Sequence, residues 1–223
     1  MTENSTPTKI LLPEGRLINS ALFAKDTYVN PNNPKAEATP QYKVELAFDA
    51  AQIVGEGTVE DALIDAVCER WGDSMEDDWV NDKNILKPYI SGDRLAADRE
   101  ARNKPGDAYK GKIVIRPNTI FNKHGADGPG GIQVFGPDTS KIEAANQDEL
   151  YPGCYGIAAV TLGTYTDPRT GNPGVKFYLS AFQKTRDGER LFSVQEHSEL
   201  FKPIGREATG GEGGTTRRRS RKG

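Results

Sequence analysis

The chain has 223 residues, 35% of them apolar and 27% charged, with a formal net charge of −3. That length suits one large domain or one domain with insertions, and no apolar run approaches the roughly 18 residues that signal a membrane-spanning helix. The net charge conceals a segregation: residues 56–82 hold ten Asp or Glu against Arg70 alone, residues 102–123 hold six Lys or Arg against Asp107 alone, and the chain ends in RRRSRKG. A basic middle segment of this kind is the local footprint that a polyanion uses, although charge runs also serve simply as solvated faces.

The opening MTENSTPTKILLPEG has no basic stretch followed by an apolar one, so no secretory signal is expected and the location reads as cytoplasmic. Residues 1–8 read as a flexible N-terminus. Residues 9–12 and 15–23 read as extended, with Pro13 making the first an edge strand or a bulged continuation. Residues 27–40, with Pro31, Pro34 and Pro40, form a long exposed loop. QYKVELAF, residues 41–48, alternates cleanly, with Tyr42, Val44, Leu46 and Phe48 inward and Lys43, Glu45 and Ala47 outward. From Thr58 the period becomes helical: Val59, Leu63, Ala66 and Val67 make an apolar stripe, Thr58 is placed to cap it, and Gly72 to end it.

Residues 87–111 read as an irregular linker with a short helix at best. GKIVIRPNTIF, residues 111–121, is a strand with Lys112, Val114 and Arg116 on the face opposite Ile113 and Ile115. The glycine-rich residues 122–138 fit neither a Walker loop nor a dinucleotide fingerprint, and are expected to be hairpin turns or a loop. YPGCYGIAAVTLGTYTD, residues 151–167, is a long strand whose glycines suggest bends at the corners of a small closed barrel. The turn DPRTGNPG then makes a β-hairpin with GVKFYLSAFQK, residues 174–184. Beyond residue 204 the composition turns glycine-rich and basic, and residues 205–223 are expected to be a disordered tail.

About five strands and one inserted helix predict a mainly β domain over residues 9–204, a five-stranded OB-fold barrel with an insertion at about 55–110 and long loops. No nucleophile elbow, HExxH or EF-hand spacing is present, and the carboxylates show no acid/base pairing, so no enzymatic activity is expected. Cys68 and Cys154 read as reduced thiols. They and His124 and His197 lack the close spacing of a zinc site, so neither metal nor cofactor is expected.

Read with period two, GVKFYLSAFQK puts Val175, Phe177, Leu179 and Ala181 on one face and Lys176, Tyr178, Ser180, Phe182 and Lys184 on the other. Two aromatics among lysines suit either a half-buried strand under a loop or a surface on which nucleic-acid bases stack between phosphate-binding lysines.

YPGCYG, GNPGVKFYLSAFQKTRDGERL and the opening KILLPEGRLINSALFA followed by QYKVELAF resemble the phage single-stranded DNA-binding protein family in pattern across residues 9–192. The resemblance implies an OB-fold that coats single-stranded DNA in phage replication or recombination, without base specificity, in the bacterial host. It implies phage replication or recombination proteins as further partners. On such a barrel Lys176, Tyr178 and Phe182 would line a groove, joined by Lys43, Lys112 and Arg116 from neighbouring strands. Lys25 and Tyr28 on one loop and Phe121 and Lys123 on another would form its rim. The basic end departs from the acidic tail of many single-strand coating proteins and would add duplex DNA as a partner. The alternative is a protein–protein interaction module of a phage replication or structural apparatus that binds no nucleic acid.

Overall fold

In the computed structural model residues 9–27, 40–120 and 132–191 are described. The chain is mainly β. Strands β1 (Lys9–Leu11), β2 (Gly15–Asp26) and β3 (Gln41–Phe48) come first. An insertion follows, built of α1 (Ala50–Ile53), α2 (Val59–Trp71), α3 (Met75–Asn81), β4 (Tyr89–Ser91) and α4 (Gly92–Glu100). The chain returns to the sheet as β5 (Ile113–Ile115), β6 (Asn118–Thr119), β7 (Gln133–Phe135), β8 (Tyr155–Thr166) and β9 (Pro173–Arg186).

The pairings form a ring. β2 pairs with β3, β3 with β6, β6 with β9 in parallel, β9 with β8, and β8 returns to β2 at Gly15 and Arg16. The inward residues of these strands make the core: Leu17, Leu22, Val44, Leu46, Phe48, Val160, Phe177 and Leu179 are all buried. Strand alternation therefore puts Tyr42, Val44, Leu46 and Phe48 of β3 and Val175, Phe177 and Leu179 of β9 inward as the sequence predicts.

The helix expected from Thr58 forms as expected. Thr58 Oγ1 accepts a hydrogen bond from the Glu60 amide, and Gly72 closes the end with φ 103°, a backbone region that favours glycine. Its Leu63 and Val67 join the core.

Three segments differ from the sequence reading. The stretch 111–121 is two short strands rather than one, because Pro117 lacks an amide to pair and offers only its carbonyl, which accepts from the Val44 amide at 3.2 Å. Within residues 87–111 the short helix that the sequence allowed forms as α4, but β4 precedes it and α4 lies on the outer face of the sheet rather than in an irregular linker. There Ala96 and Tyr109 pack against Ile18, Ala47 and Val114. Val114, expected to face outward, is thus fully buried under the insertion. Finally, β7 is a strand parallel to β9 rather than part of a loop.

The insertion is pinned by one carboxylate. Glu60 is 9% exposed, and its Oε1 accepts from Trp79 Nε1 at 2.8 Å and from the Tyr89 hydroxyl at 2.9 Å. Its Oε2 accepts from the Gly55 amide at 2.9 Å. Burial alone would raise this carboxyl, but the three donors and the nearby Lys87 charge outweigh it and hold Glu60 below its ordinary range. A depressed folded-state value means that the stabilisation is present above the unfolded-state range, near pH 4.3, and is lost as pH falls through the folded value. Glu60→Gln keeps the shape but lowers stability at neutral pH and flattens the acid limb of unfolding. Urea titrations between pH 3 and 7 check this, and an acid limb as steep in the variant would refute it.

Candidate nucleic-acid interface

The outer face of the ring is read from its register. Lys43 pairs with Asn118, Asn118 with Tyr178, and Tyr178 with Thr161, so these four form one row across β3, β6, β9 and β8. The neighbouring row runs through Glu45, Arg116, Lys176 and Gly163, the last two being direct partners. At the next step on β8 and β9, Tyr165 pairs with Gly174.

Two glycines make this face unusual. A Cβ on Gly163 would lie 2.7 Å from the Tyr178 ring, and one on Gly174 would lie 2.6 Å from the Tyr165 ring. Each ring therefore packs directly against bare backbone, where any side chain would displace it, and remains partly open to solvent. Tyr178 is 40% exposed and Tyr165 37%. Lys176 Nζ stands 5.1 Å from the Tyr178 ring centre. Burial and the nearby Asp167 and Tyr178 push the Tyr165 hydroxyl above its ordinary value, so it stays neutral.

The cations divide into two groups. Lys43 pairs with Asp26, Lys112 with Asp49 at 2.6 Å, and Arg116 with Glu45 at 3.0 Å. Lys112 is further set apart by Ala47 and Val114, which α4 covers. Among the described residues no ion pair engages Lys83, Lys87, Arg94 or Lys176. Lys87 instead lies over the Trp79 ring at 4.8 Å and the Tyr89 ring at 5.9 Å.

Of the residues expected to form the groove, Lys43, Arg116, Lys176 and Tyr178 come together on this face. Lys25 is exposed and lies over the buried Tyr42 ring at 5.6 Å. Tyr28, Phe121 and Lys123 lie outside the described residues.

Phe182 requires a correction. It is 1% exposed, within the core. The register explains why: Val160 pairs with Leu179 and Ala159 with Ala181, which leaves Ser180 as an extra residue. Such a bulge reverses the alternation, so that beyond it Phe182 and Lys184 point inward. The Phe182 ring fills the space over Gly156, where a Cβ would lie 2.3 Å from it. Lys184, 8% exposed, donates to the Glu149 carbonyl at 2.9 Å.

Tyr165, Asn118 and Lys87 belong to this surface and were not anticipated. The signal for Tyr165 was available: it continues the period-two series Thr161, Gly163, Tyr165 away from the core residues Val160 and Leu162.

Exposed aromatic rings beside lysines that are in no ion pair can stack on planar bases and attract phosphates. No group of His, Cys, Asp or Glu among the described residues is arranged to hold a metal ion, and no described helix is long and apolar enough to cross a membrane.

A ring of strands bearing such a face defines a nucleic-acid-binding class of protein. The chain belongs to the family of the Enterobacter phage Enc34 ssDNA-binding protein, whose sequence model matches residues 9–210. A C-terminally truncated single-stranded DNA-binding protein from bacteriophage Enc34 superposes with a TM-score of 0.51 at 14% identity, over 85% of this chain and 99% of that one. The single-stranded DNA-binding protein gp2.5 of bacteriophage T7 gives 0.50 at 11% identity, over 90% and 98%. No curated protein sequence matches the chain.

Proposed function

We propose that this chain binds single-stranded DNA without base specificity, as a non-enzymatic coating protein of phage replication and recombination. The strand ring is read as a five-stranded OB-fold barrel, supported by the pairing order and by the shared fold. The observation that carries the reading is the pair of exposed tyrosine rings packed against Gly163 and Gly174 beside Lys176. Stacking on such rings is tolerant of sequence because every base has a π-face. Lys43 and Arg116 take phosphates only by exchanging their carboxylate partners, whereas Lys176 is available at once.

Arg217, Arg218, Arg219, Arg221 and Lys222, which lie outside the described residues, add positive charge that would favour duplex at least as much as single strands. Phage replication and recombination proteins are the further partners of this reading.

The test is a gel shift of matched single-stranded and duplex oligonucleotides over a salt series. For Z neutralised phosphates of a single strand, log K falls against log salt with a slope of about −0.7Z. Mixed-sequence oligonucleotides are expected to bind alike. Salt-indifferent affinity, or strong preference for one base motif, would overturn the proposal.

A further inference from the structure

The insertion does more than cover Ile18, Ala47 and Val114 on the sheet. Lys83, Leu86, Lys87, Tyr89, Ile90, Arg94 and Tyr165 border a cleft of about 830 Å³ between the insertion and the end of β8. Lys87, Ile90 and Tyr165 also border a smaller one of about 180 Å³, together with Arg116 and Lys176. The two share Lys87, Ile90 and Tyr165 in their walls and so lie side by side. Their linings together form a trough of two adjacent clefts, from the β9 face, past Tyr165, to α4 and the segment after α3. The joint is fixed by backbone: the Leu86 amide donates to the Pro173 carbonyl at 2.9 Å and the Val175 amide to the Leu86 carbonyl at 3.0 Å.

The charge of this arm differs from that of its surroundings. Residues 56–82 of the same insertion are strongly acidic, yet the trough presents Lys83, Lys87 and Arg94, none in an ion pair among the described residues. The one carboxylate bordering it, Asp82, is engaged by the Asn84 amide and side chain, both at 2.8 Å. Three cations against one bordering carboxylate leave the groove net cationic, and such a groove beside a stacking surface concentrates phosphate.

We infer that the single strand continues beyond the barrel face into this arm, with Lys83, Lys87 and Arg94 holding the phosphates of its outer nucleotides and Tyr165 stacking at the turn. The inference rests on the proposed function. Lys83 and Arg94 are exposed and remote from the core, so Lys83→Ala/Arg94→Ala removes charge without disturbing the fold.

The experiment uses the full chain and an oligo-dT length series across and beyond the roughly 4–16 nucleotides of one OB-fold site. With long strands the double variant is expected to lose about 1.4 from the salt slope, two contacts at 0.7 each. With the shortest strands that bind, affinity and slope match those of the parent protein. Lys83→Arg/Arg94→Lys restores the long-strand slope. Unchanged binding at every length, or an equal loss at every length, overturns the arm. If that happens while Tyr165→Ala/Tyr178→Ala still weakens binding, only the arm falls; if the parent protein binds no single strand, the function falls with it.

Discussion

Phe182→Ala is expected to lower folding stability by about 3–5 kcal/mol, the cost of emptying a buried aromatic site. The ring is 1% exposed and closes the space over Gly156 between β8 and β9. Gly156 has no side chain to collapse into the void, and the neighbouring strands are fixed by their ladder, so relaxation recovers little. For a domain of this size the loss is a fall of roughly 6–20 °C in melting temperature. Phe177→Ala, 2% exposed on the same strand, is expected to behave alike. Calorimetry of the two variants checks the bulge directly: if Ser180 did not reverse the alternation, only Phe177→Ala would be costly.

Tyr165→Ala/Tyr178→Ala is expected to do the opposite, weakening single-strand binding strongly while leaving the melting temperature close to that of the parent protein. Each stacked base is worth about 1–3 kcal/mol, which is roughly 5- to 150-fold in affinity. The two sites are neighbours, so their losses need not add. Tyr178→Phe keeps the ring and is expected to bind nearly as tightly as the parent. Fluorescence anisotropy with labelled oligo-dT separates the cases. A double variant that binds normally would remove the stacking surface from the proposed function.

The elements governed by local rules were legible in the sequence. Thr58 and Gly72 bracket α2 because caps act over a turn, and β3 shows its inward and outward residues because a period of two is written into eight consecutive positions. The face of β9 was legible only as far as Leu179. An extra residue opposite β8 is a property of two strands together, and nothing within GVKFYLSAFQK announces it. The same limit applies to charge. Lys43, Lys112 and Arg116 look like free cations in sequence, and their neutralisation by Asp26, Glu45 and Asp49 is set by strand pairing and by the start of the insertion. Lys87 and Arg94 were hidden for the converse reason: their segment has no strong period, and its place beside β9 depends on the bridge between Leu86 and Gly174.

The closure of the ring also constrains how the chain folds. β2 meets β8 at Gly15 and Gly156, and β6 meets β9 at Asn118 and Tyr178, so the core is sealed by contacts between distant parts of the sequence. During synthesis β2 and β3 can pair and α2 can form while β9 is still unmade, but Leu17, Val44 and Leu46 stay uncovered until the β8–β9 hairpin arrives. Non-local closure of this kind is slow, in the millisecond-to-second range for β-rich domains. The β8–β9 hairpin therefore both presents the two tyrosine rings and closes the ring of strands, and a chain truncated before Pro173 would expose an apolar sheet prone to aggregation.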